Sequence, residues 1–200
     1  MNRWTKLTHF NPCPSDPHNP TSTPIYQTAT FGQESALEVG DYDYSRSGNP
    51  TRTVLQQHLA SLEYGKFGFA FSSGMAAISS GLRILRSGDT IVVGRDTYGG
   101  TYRLLHKVLD RYRIRVVHVD TRDLKAVEAV LVTGGVKGVF LESPTNPLME
   151  VTDIRAIACL AHRHGAWLAV DNSMLSPWLQ NPLLLGADIV VHSGTKHLSG

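Results

Sequence analysis

The chain has 200 residues, of which 42% are hydrophobic and 18% are charged, a balance that supports one sizeable core and argues against a disordered protein. Nineteen Lys and Arg residues stand against 17 Asp and Glu residues, a formal net charge of +2 without a basic block or an acidic tail, so neither nucleic acid nor an anionic membrane is indicated as a partner. No apolar stretch approaches the roughly 18 to 20 residues of a membrane-spanning helix, and the N-terminus lacks the apolar segment of a signal peptide. We therefore expect a cytoplasmic protein.

The first 50 residues predict an extended arm rather than a packed domain, because they are rich in Pro, Asn, Ser and Thr and show no sustained period. The next stretch, TRTVLQQHLASLEYG, carries apolar residues at helical spacing and predicts a helix that ends at Gly65. We therefore divide the chain into an arm over residues 1–50 and a larger domain over residues 51–200.

Short apolar runs rich in β-branched residues alternate with amphipathic segments along the larger domain. The runs, each interpreted as a buried strand, are GFAFSS, TIVVGRD, IRVVHVD, GVFLES, WLAVDN and DIVVHSG. The segments interpreted as helices are GMAAISSGLRILRSG, YRLLHKVLDRY, DLKAVEAVLVTG and DIRAIACLAHRHG. This alternation is typical of βαβ units and predicts an α/β fold with a mostly parallel sheet.

Cysteine and histidine spacing does not indicate a metal site. Cys13 and Cys159 lie far apart with no second cysteine near either, so we expect two free thiols, with Cys159 in a helix core. His162 and His164 are two residues apart on a predicted helix and point to different faces, which argues against a shared metal. The dinucleotide-binding, P-loop, nucleophile-elbow and HExxH motifs are also absent from the sequence.

Polar residues collect where the predicted strands end, which is where ligands bind in parallel α/β sheets. SSG precedes a helix, so backbone N–H groups around Gly74 and Met75 would face a phosphate. The other strand ends carry Tyr98, Asn146, Asp171, Ser193, Thr195 and Lys196. Taken singly, each has a plainer explanation: SSG and the aspartate as caps, the lysine as solvated surface. Together, phosphate donors, an aromatic ring, a buried carboxylate and a lysine are the groups that hold pyridoxal phosphate (PLP).

The chemistry of PLP gives three of these residues a role. Lys196 would join the cofactor aldehyde as an imine, which a substrate amine displaces, and the released lysine could then carry protons. Asp171 would pair with the pyridine nitrogen and keep it protonated, so that the ring accepts the electrons left when the Cα proton departs. Tyr98 would stack on the ring and fix its plane.

These residues lie in a sequence that resembles the Cys/Met-metabolism PLP-dependent enzymes of fold type I, the family of the trans-sulfuration enzymes. The resemblance covers nearly the whole chain from Pro24. It is carried by PIYQTATF, YDYSRSGNPTR, AFSSGMAAIS, DTYGGTYRLL, FLESPTNPLMEVTDI, VDNSMLSP, PLLLGADIVVHS and GTKHLSG. It implies an aspartate aminotransferase-like large domain, with Lys196 as the Schiff-base lysine, Asp171 at the pyridine nitrogen and Tyr98 stacking.

The resemblance also assigns the remaining candidate residues. Gly74, Met75, Ser193 and Thr195 would contact the cofactor phosphate, and Asn146 would lie near the phenolic oxygen of the ring. Tyr44 and Arg46 match residues that reach the phosphate of a neighbouring subunit's cofactor. The arm would then pack on a partner chain, in a dimer of active-site-sharing subunits that forms a homotetramer.

Two features depart from the family pattern. Gly194 stands where relatives often have Ala, and His197 where Tyr or Phe is common, both beside the inferred chemistry. Family members also continue past the equivalent of Gly200 into a C-terminal domain whose arginine holds the substrate carboxylate. We therefore expect either a fragment of a longer protein or a truncated product with an open substrate site.

The resemblance implies a carbon–sulfur lyase that acts on a small sulfur amino acid. We favour β-elimination from L-cystathionine to homocysteine, pyruvate and ammonia, because several stretches, and Ser173 where γ-acting relatives more often have Thr, look most like bacterial and plastid β-lyases. The alternatives within the family are cystathionine γ-synthase, cystathionine γ-lyase and O-acetylhomoserine sulfhydrylase. A truncated, non-catalytic fragment that binds PLP or dimerises is the alternative of another class.

Overall fold

A computed structural model of the chain describes residues 2–10 and 18–199. The chain divides into two compact units, Met1–Ala70 and Phe71–Gly200. Cys13 lies outside the described residues. No helix in the described part of the chain is long and apolar enough to cross a membrane.

The first unit contains helix α1 (Arg3–Thr8) and helix α2 (Pro50–Glu63). The Asn49 side chain accepts the Thr51 N–H at the start of α2, and proline stands at the first helical position, two features that favour a helix start. The helix ends at Glu63, and the next residue, Tyr64, takes the left-handed conformation with φ 59°, one residue before Gly65.

Helix α2 is bonded to the preceding extended segment. The Tyr26 N–H donates to Thr51 Oγ1 at 2.9 Å, and the Thr51 hydroxyl donates to the Pro24 carbonyl at 2.8 Å. These bonds keep α2 in the first unit, so the structural division falls after Ala70, whereas the sequence-based division falls at residue 50. Packing of the arm on another subunit stays a prediction.

The second unit is built on a five-stranded sheet in which all strands are parallel, and this confirms the predicted α/β fold with a mostly parallel sheet. The strands are β1 (Thr90–Gly94), β2 (Arg115–Val119), β3 (Val136–Glu142), β4 (Trp167–Asp171) and β5 (Ile189–Val191). Their order in the sheet is β2-β1-β3-β4-β5, and every neighbouring pair is parallel. The carboxyl ends of all five strands therefore meet at one edge of the sheet.

Both faces of the sheet are covered by helices. These are α3 (Gly74–Leu82), α4 (Gly99–Arg103), which continues into a π-helical turn over Leu104–Val108 and a 3₁₀ turn over Leu109–Tyr112, α5 (Leu124–Leu131), α6 (Ile154–Arg163), the short α7 (Ser176–Leu179) and a 3₁₀ turn over Pro182–Leu185. Strand residues alternate between the faces: Val92 and Leu168 pack with α5 and α6, whereas Ile91 and Ala169 pack with α3 and the π-helical turn. Because both faces are covered, the strands are mostly apolar, with exposed polar residues such as Arg115 on β2 and Lys137 on β3.

Two sequence-based expectations are wrong. GFAFSS is not a strand, because no described strand pairs with it. Its Phe69 and Phe71 are 72% and 47% exposed, and the preceding Phe67 is 71% exposed. An apolar run becomes a strand only when a neighbour takes its backbone hydrogen bonds. Cys159 lies on α6 but is exposed, because the buried face of that helix is formed by the residues on either side of it.

Candidate cofactor and active site

The predicted site residues of the second unit lie at the edge where the parallel strands end. Tyr98 follows β1, Asn146 follows β3, and Asp171 is the last residue of β4. Ser193, Thr195 and Lys196 follow β5, and Gly74 and Met75 open α3. This is the edge at which ligands bind in open α/β sheets.

The start of α3 and the end of β5 form a small polar cradle. The Ser73 hydroxyl accepts the Ala76 N–H at 3.1 Å, whereas the N–H groups of Gly74 and Met75 belong to the first turn, for which a helix supplies no acceptor of its own. A Cβ on Gly74 would lie 3.0 Å from the Ser193 Cβ, so a larger residue would crowd Ser193. The Ser193 and Thr195 hydroxyls are 2.9 Å apart. Backbone donors at a helix N-terminus beside two hydroxyls suit a phosphate group.

Asp171 is held by Ser173, the residue at which γ-acting relatives more often have Thr. The Ser173 N–H and hydroxyl donate to Asp171 Oδ1 at 3.0 and 2.6 Å, and Oδ2 accepts neither bond. Ser173 Oγ in turn accepts the Ser193 N–H at 2.7 Å. Ser173 thus links the Asp171 carboxylate to the polar cradle, and Asp171 is only 8% exposed.

Tyr98 stands at the start of α4 with its side chain 48% exposed. A Cβ on Gly100 would lie 2.5 Å from the Tyr98 ring and 2.9 Å from Met75 Sδ, so the glycine leaves the space in which the ring lies near Met75. The Tyr98 N–H donates to Glu142 Oε2 at 3.1 Å. The ring is therefore positioned by contacts from α3, α4 and β3.

Glu142 lies at the same edge, at the end of β3, and is not among the residues that the sequence indicates. Burial, and then the negative charge of Asp171, raise the pKa of Glu142 to about 7. Asp96 adds a smaller effect in the same direction, and its buried Oδ2 has no hydrogen-bond partner in the described part of the chain. No sequence signal marks Glu142, because its bonding partners are backbone N–H groups.

Lys196 and Asn146 lie in exposed loops at the same edge. The Lys196 N–H donates to the Ser193 carbonyl at 3.1 Å, which turns the chain immediately after β5. Asn146 follows a cis Ser143–Pro144 peptide and precedes a cis peptide to Pro147.

Tyr44 and Arg46 belong to the first unit. The Arg46 guanidinium carbon lies 4.9 Å from the centre of the Tyr44 ring, within the range of a cation–π contact. Tyr44 also forms an antiparallel bridge with Thr30. Their approach to a neighbouring subunit's cofactor stays a prediction.

The sequence matches the family described as "Cys/Met metabolism PLP-dependent enzyme" over residues 4–200. The chain belongs to this family. It is 51% identical over 186 residues to the chloroplastic mimosinase of Mimosa pudica and 51% identical over 185 residues to the chloroplastic cystathionine beta-lyase of Arabidopsis thaliana, each alignment covering 92% of the chain. The crystal structure of cystathionine gamma-lyase from Lactobacillus plantarum, complexed with L-serine, matches 98% of the chain with a TM-score of 0.92 at 46% identity.

The chain spans about half the length of these relatives or less. It covers 42% of the mimosinase, 40% of the beta-lyase and 51% of the gamma-lyase chain in the crystal structure. The match to the solved structure shows that the second unit has the α/β fold of these PLP-dependent neighbours.

The residues at the sheet edge fit the cofactor of this family. Asp171 offers a fixed carboxylate with Oδ2 outside the Ser173 bonds, as a protonated pyridine nitrogen requires. The Gly74–Ser193 cradle offers donors for a phosphate, and Tyr98 offers a ring for stacking. Lys196 carries an amine that could bind the aldehyde of PLP. Among the described residues, no group of three or more His, Cys, Asp or Glu side chains is arranged to hold a metal ion.

Proposed function

We propose that the protein cleaves L-cystathionine by β-elimination to homocysteine, pyruvate and ammonia, as a PLP-dependent carbon–sulfur lyase in the trans-sulfuration route to methionine. The observation that carries the proposal is the buried Asp171 carboxylate, with Oδ1 fixed by Ser173, at the sheet edge that also bears Lys196. A fixed carboxylate stabilises the protonated ring nitrogen on which Cα deprotonation depends. The relative at 51% identity that is named as a cystathionine beta-lyase favours this reaction within the family.

Each residue of the edge has a place in that chemistry. Bound PLP would supply an aldehyde for the substrate amine and a ring that takes up the electrons of the Cα–H bond. Lys196 would hold the cofactor and then move the proton at Cα. Asp171 Oδ2 would keep the proton on the ring nitrogen, and Tyr98 would fix the plane of the ring. Ser193 and Thr195 would bind the phosphate together with the start of α3.

The second candidate is cleavage on the γ side of the same substrate. The solved gamma-lyase, at 46% identity and a TM-score of 0.92, supports it. Cystathionine γ-synthase and O-acetylhomoserine sulfhydrylase activities would use the same cofactor residues, because all these reactions begin with deprotonation at Cα.

We further propose a cytoplasmic homo-oligomer, a tetramer of two active-site-sharing dimers, with the arm over residues 1–50 contacting the neighbouring subunit. In it, Tyr44 and Arg46 would reach a partner's cofactor phosphate. The exposure of Tyr44 and the solvent-facing aromatic residues of the first unit support a role for this surface in contact with another chain.

The experiment that tests the reaction is product identification. The full-length protein is incubated with PLP and L-cystathionine, and the keto acid is identified by mass spectrometry. Pyruvate would support β-elimination, whereas 2-oxobutyrate would replace it with the γ-lyase reaction. If the visible absorbance of lysine-bound PLP develops and no keto acid forms, the non-catalytic alternative is favoured.

A further inference from the structure

We propose that Glu142 is a positioning residue of the cofactor site, which fixes the backbone beneath the Tyr98 ring and changes its hold with its own protonation. The proposal rests on the proposed PLP function for its consequence, but its geometry lies wholly within this chain. Glu142 is not assigned by the cofactor chemistry itself, which uses Lys196, Asp171 and Tyr98.

The register of the sheet places Glu142 beside Asp171. Glu142 is the last residue of β3 and is paired in register with Asp171, the last residue of β4. Register partners on adjacent parallel strands point their side chains to the same face, and the strands are only about 4.8 Å apart. The two carboxyl groups are therefore neighbours at the edge that bears the cofactor residues.

Glu142 accepts hydrogen bonds from the backbone of two loops. The Tyr98 N–H donates to Glu142 Oε2 at 3.1 Å, and the backbone of Asn146 also donates to this carboxyl. One side chain thus binds the loop after β1 and the loop after β3. The Tyr98 ring is confined against Gly100 near Met75, so holding the Tyr98 backbone also holds the ring.

Neighbouring charges and burial determine the pH at which Glu142 ionises. The charged groups that act on Glu142 are Asp171 from β4 and Asp96 from the loop after β1, and both are negative. Together with burial they favour the neutral acid, whereas the Tyr98 and Asn146 N–H groups favour the carboxylate. The pKa of Glu142 is raised to about 7 by this balance, so the proton is gained and lost near neutral pH.

Ionisation has a defined consequence for the site. A carboxylate accepts an N–H bond more strongly than a neutral acid does, so the Tyr98 backbone is held more tightly above pH 7 than below it. The negative charge gained beside Asp171 would also favour the protonated form of the pyridine nitrogen that pairs with Asp171. Loss of the Glu142 proton would therefore both fix the stacking ring and strengthen the pairing of Asp171 with the cofactor.

The test is an amide titration of the full chain without cofactor, selectively labelled with ¹⁵N-tyrosine and ¹⁵N-asparagine. The Tyr98 and Asn146 amide protons are expected to shift downfield with one midpoint near pH 7, the pKa of Glu142. Glu142→Gln should abolish the titration at both amides. Asp171→Asn should keep it and lower its midpoint, because one negative neighbour is removed.

Glu150→Gln is the matched control. Glu150 follows the same strand and pairs with Arg122 at 3.0 Å, so its substitution should leave the Tyr98 titration unchanged. A Tyr98 amide that does not titrate near neutral pH, or that titrates alike in wild type and Glu142→Gln, would overturn the proposal. If Glu142→Gln does not fold, the wild-type titration and the Asp171→Asn midpoint still decide it.

With PLP present, Glu142→Gln should lower cofactor affinity roughly three- to tenfold above pH 7 and much less below it, the loss expected for one hydrogen bond to a charged group. A merely structural role would give the same loss at both pH values. The amide titration needs neither PLP nor turnover, so its failure and the failure of the proposed reaction are separate outcomes.

Discussion

Ser173 connects the Asp171 carboxylate to the polar cradle at Ser193. Its hydroxyl donates to Asp171 at 2.6 Å and accepts the Ser193 N–H at 2.7 Å, so the carboxylate and the phosphate cradle are held at a fixed separation. Ser173→Ala would remove both bonds. We expect PLP affinity, measured by absorbance titration, to fall roughly ten- to a hundredfold, the loss expected for hydrogen bonds that involve a charged group. Ser87→Ala, at an exposed position, is the control, and equal affinities in the two variants would refute the role of Ser173.

Glu142 also predicts how stability depends on pH. Folding raises its pKa from 4.5 to about 7, so the folded state binds this proton more tightly than the unfolded chain does. Stability should therefore fall as pH rises from 4.5 to 7, because the unfolded state loses the proton first. Denaturant titrations across that pH range should show a shallower decline in Glu142→Gln. Parallel curves for wild type and variant would contradict the assignment.

The residues found only in the structure are those whose partners are not side chains of a recognisable motif. The placement of Lys196, Asp171 and Tyr98 at one edge could be predicted because each ends or follows a strand, and such ends converge in a parallel sheet. Glu142 bonds to backbone N–H groups, and Ser173 acts through a bond to another residue's main chain. Neither interaction leaves a pattern in residue types.

At the scale of elements, the buried strands carry the stability of the second unit. Leu168 on β4 is fully buried among residues of α5 and α6, so Leu168→Ala should cost about 2 to 5 kcal/mol of the free energy of unfolding. Leu184→Ala, at a position 54% exposed, should change it by less than about 0.5 kcal/mol. Chemical denaturation measures both, and similar costs would show that the core is not where the burial places it.

Five strands could be predicted because fully buried parallel strands read as continuous apolar runs. The order β2-β1-β3-β4-β5 could not, since composition does not state which runs are neighbours. GFAFSS lacks the Val and Ile residues of the five strands, and no described strand pairs with it. Pairing is a property of the whole sheet and not of the segment.

At the scale of the whole molecule, the role of the arm can be tested by mixing subunits. Arg46→Ala and Lys196→Ala proteins should each be nearly inactive on their own. If Arg46 acts on a neighbour's site, mixed oligomers contain sites that combine an intact Lys196 with an intact Arg46 of the other subunit, and activity should return. An absence of recovery in mixed oligomers of confirmed composition would place Arg46 in its own subunit's site instead.

Covalent trapping tests whether the parallel-sheet edge holds PLP through Lys196. The PLP-loaded protein is reduced with borohydride, digested, and the phosphopyridoxyl group is located by mass spectrometry. We predict the label on Lys196, unchanged in Lys137→Ala, which replaces an exposed lysine of β3. Label on another lysine, or retention of full labelling in Lys196→Ala, would show that Lys196 is not the lysine that binds PLP.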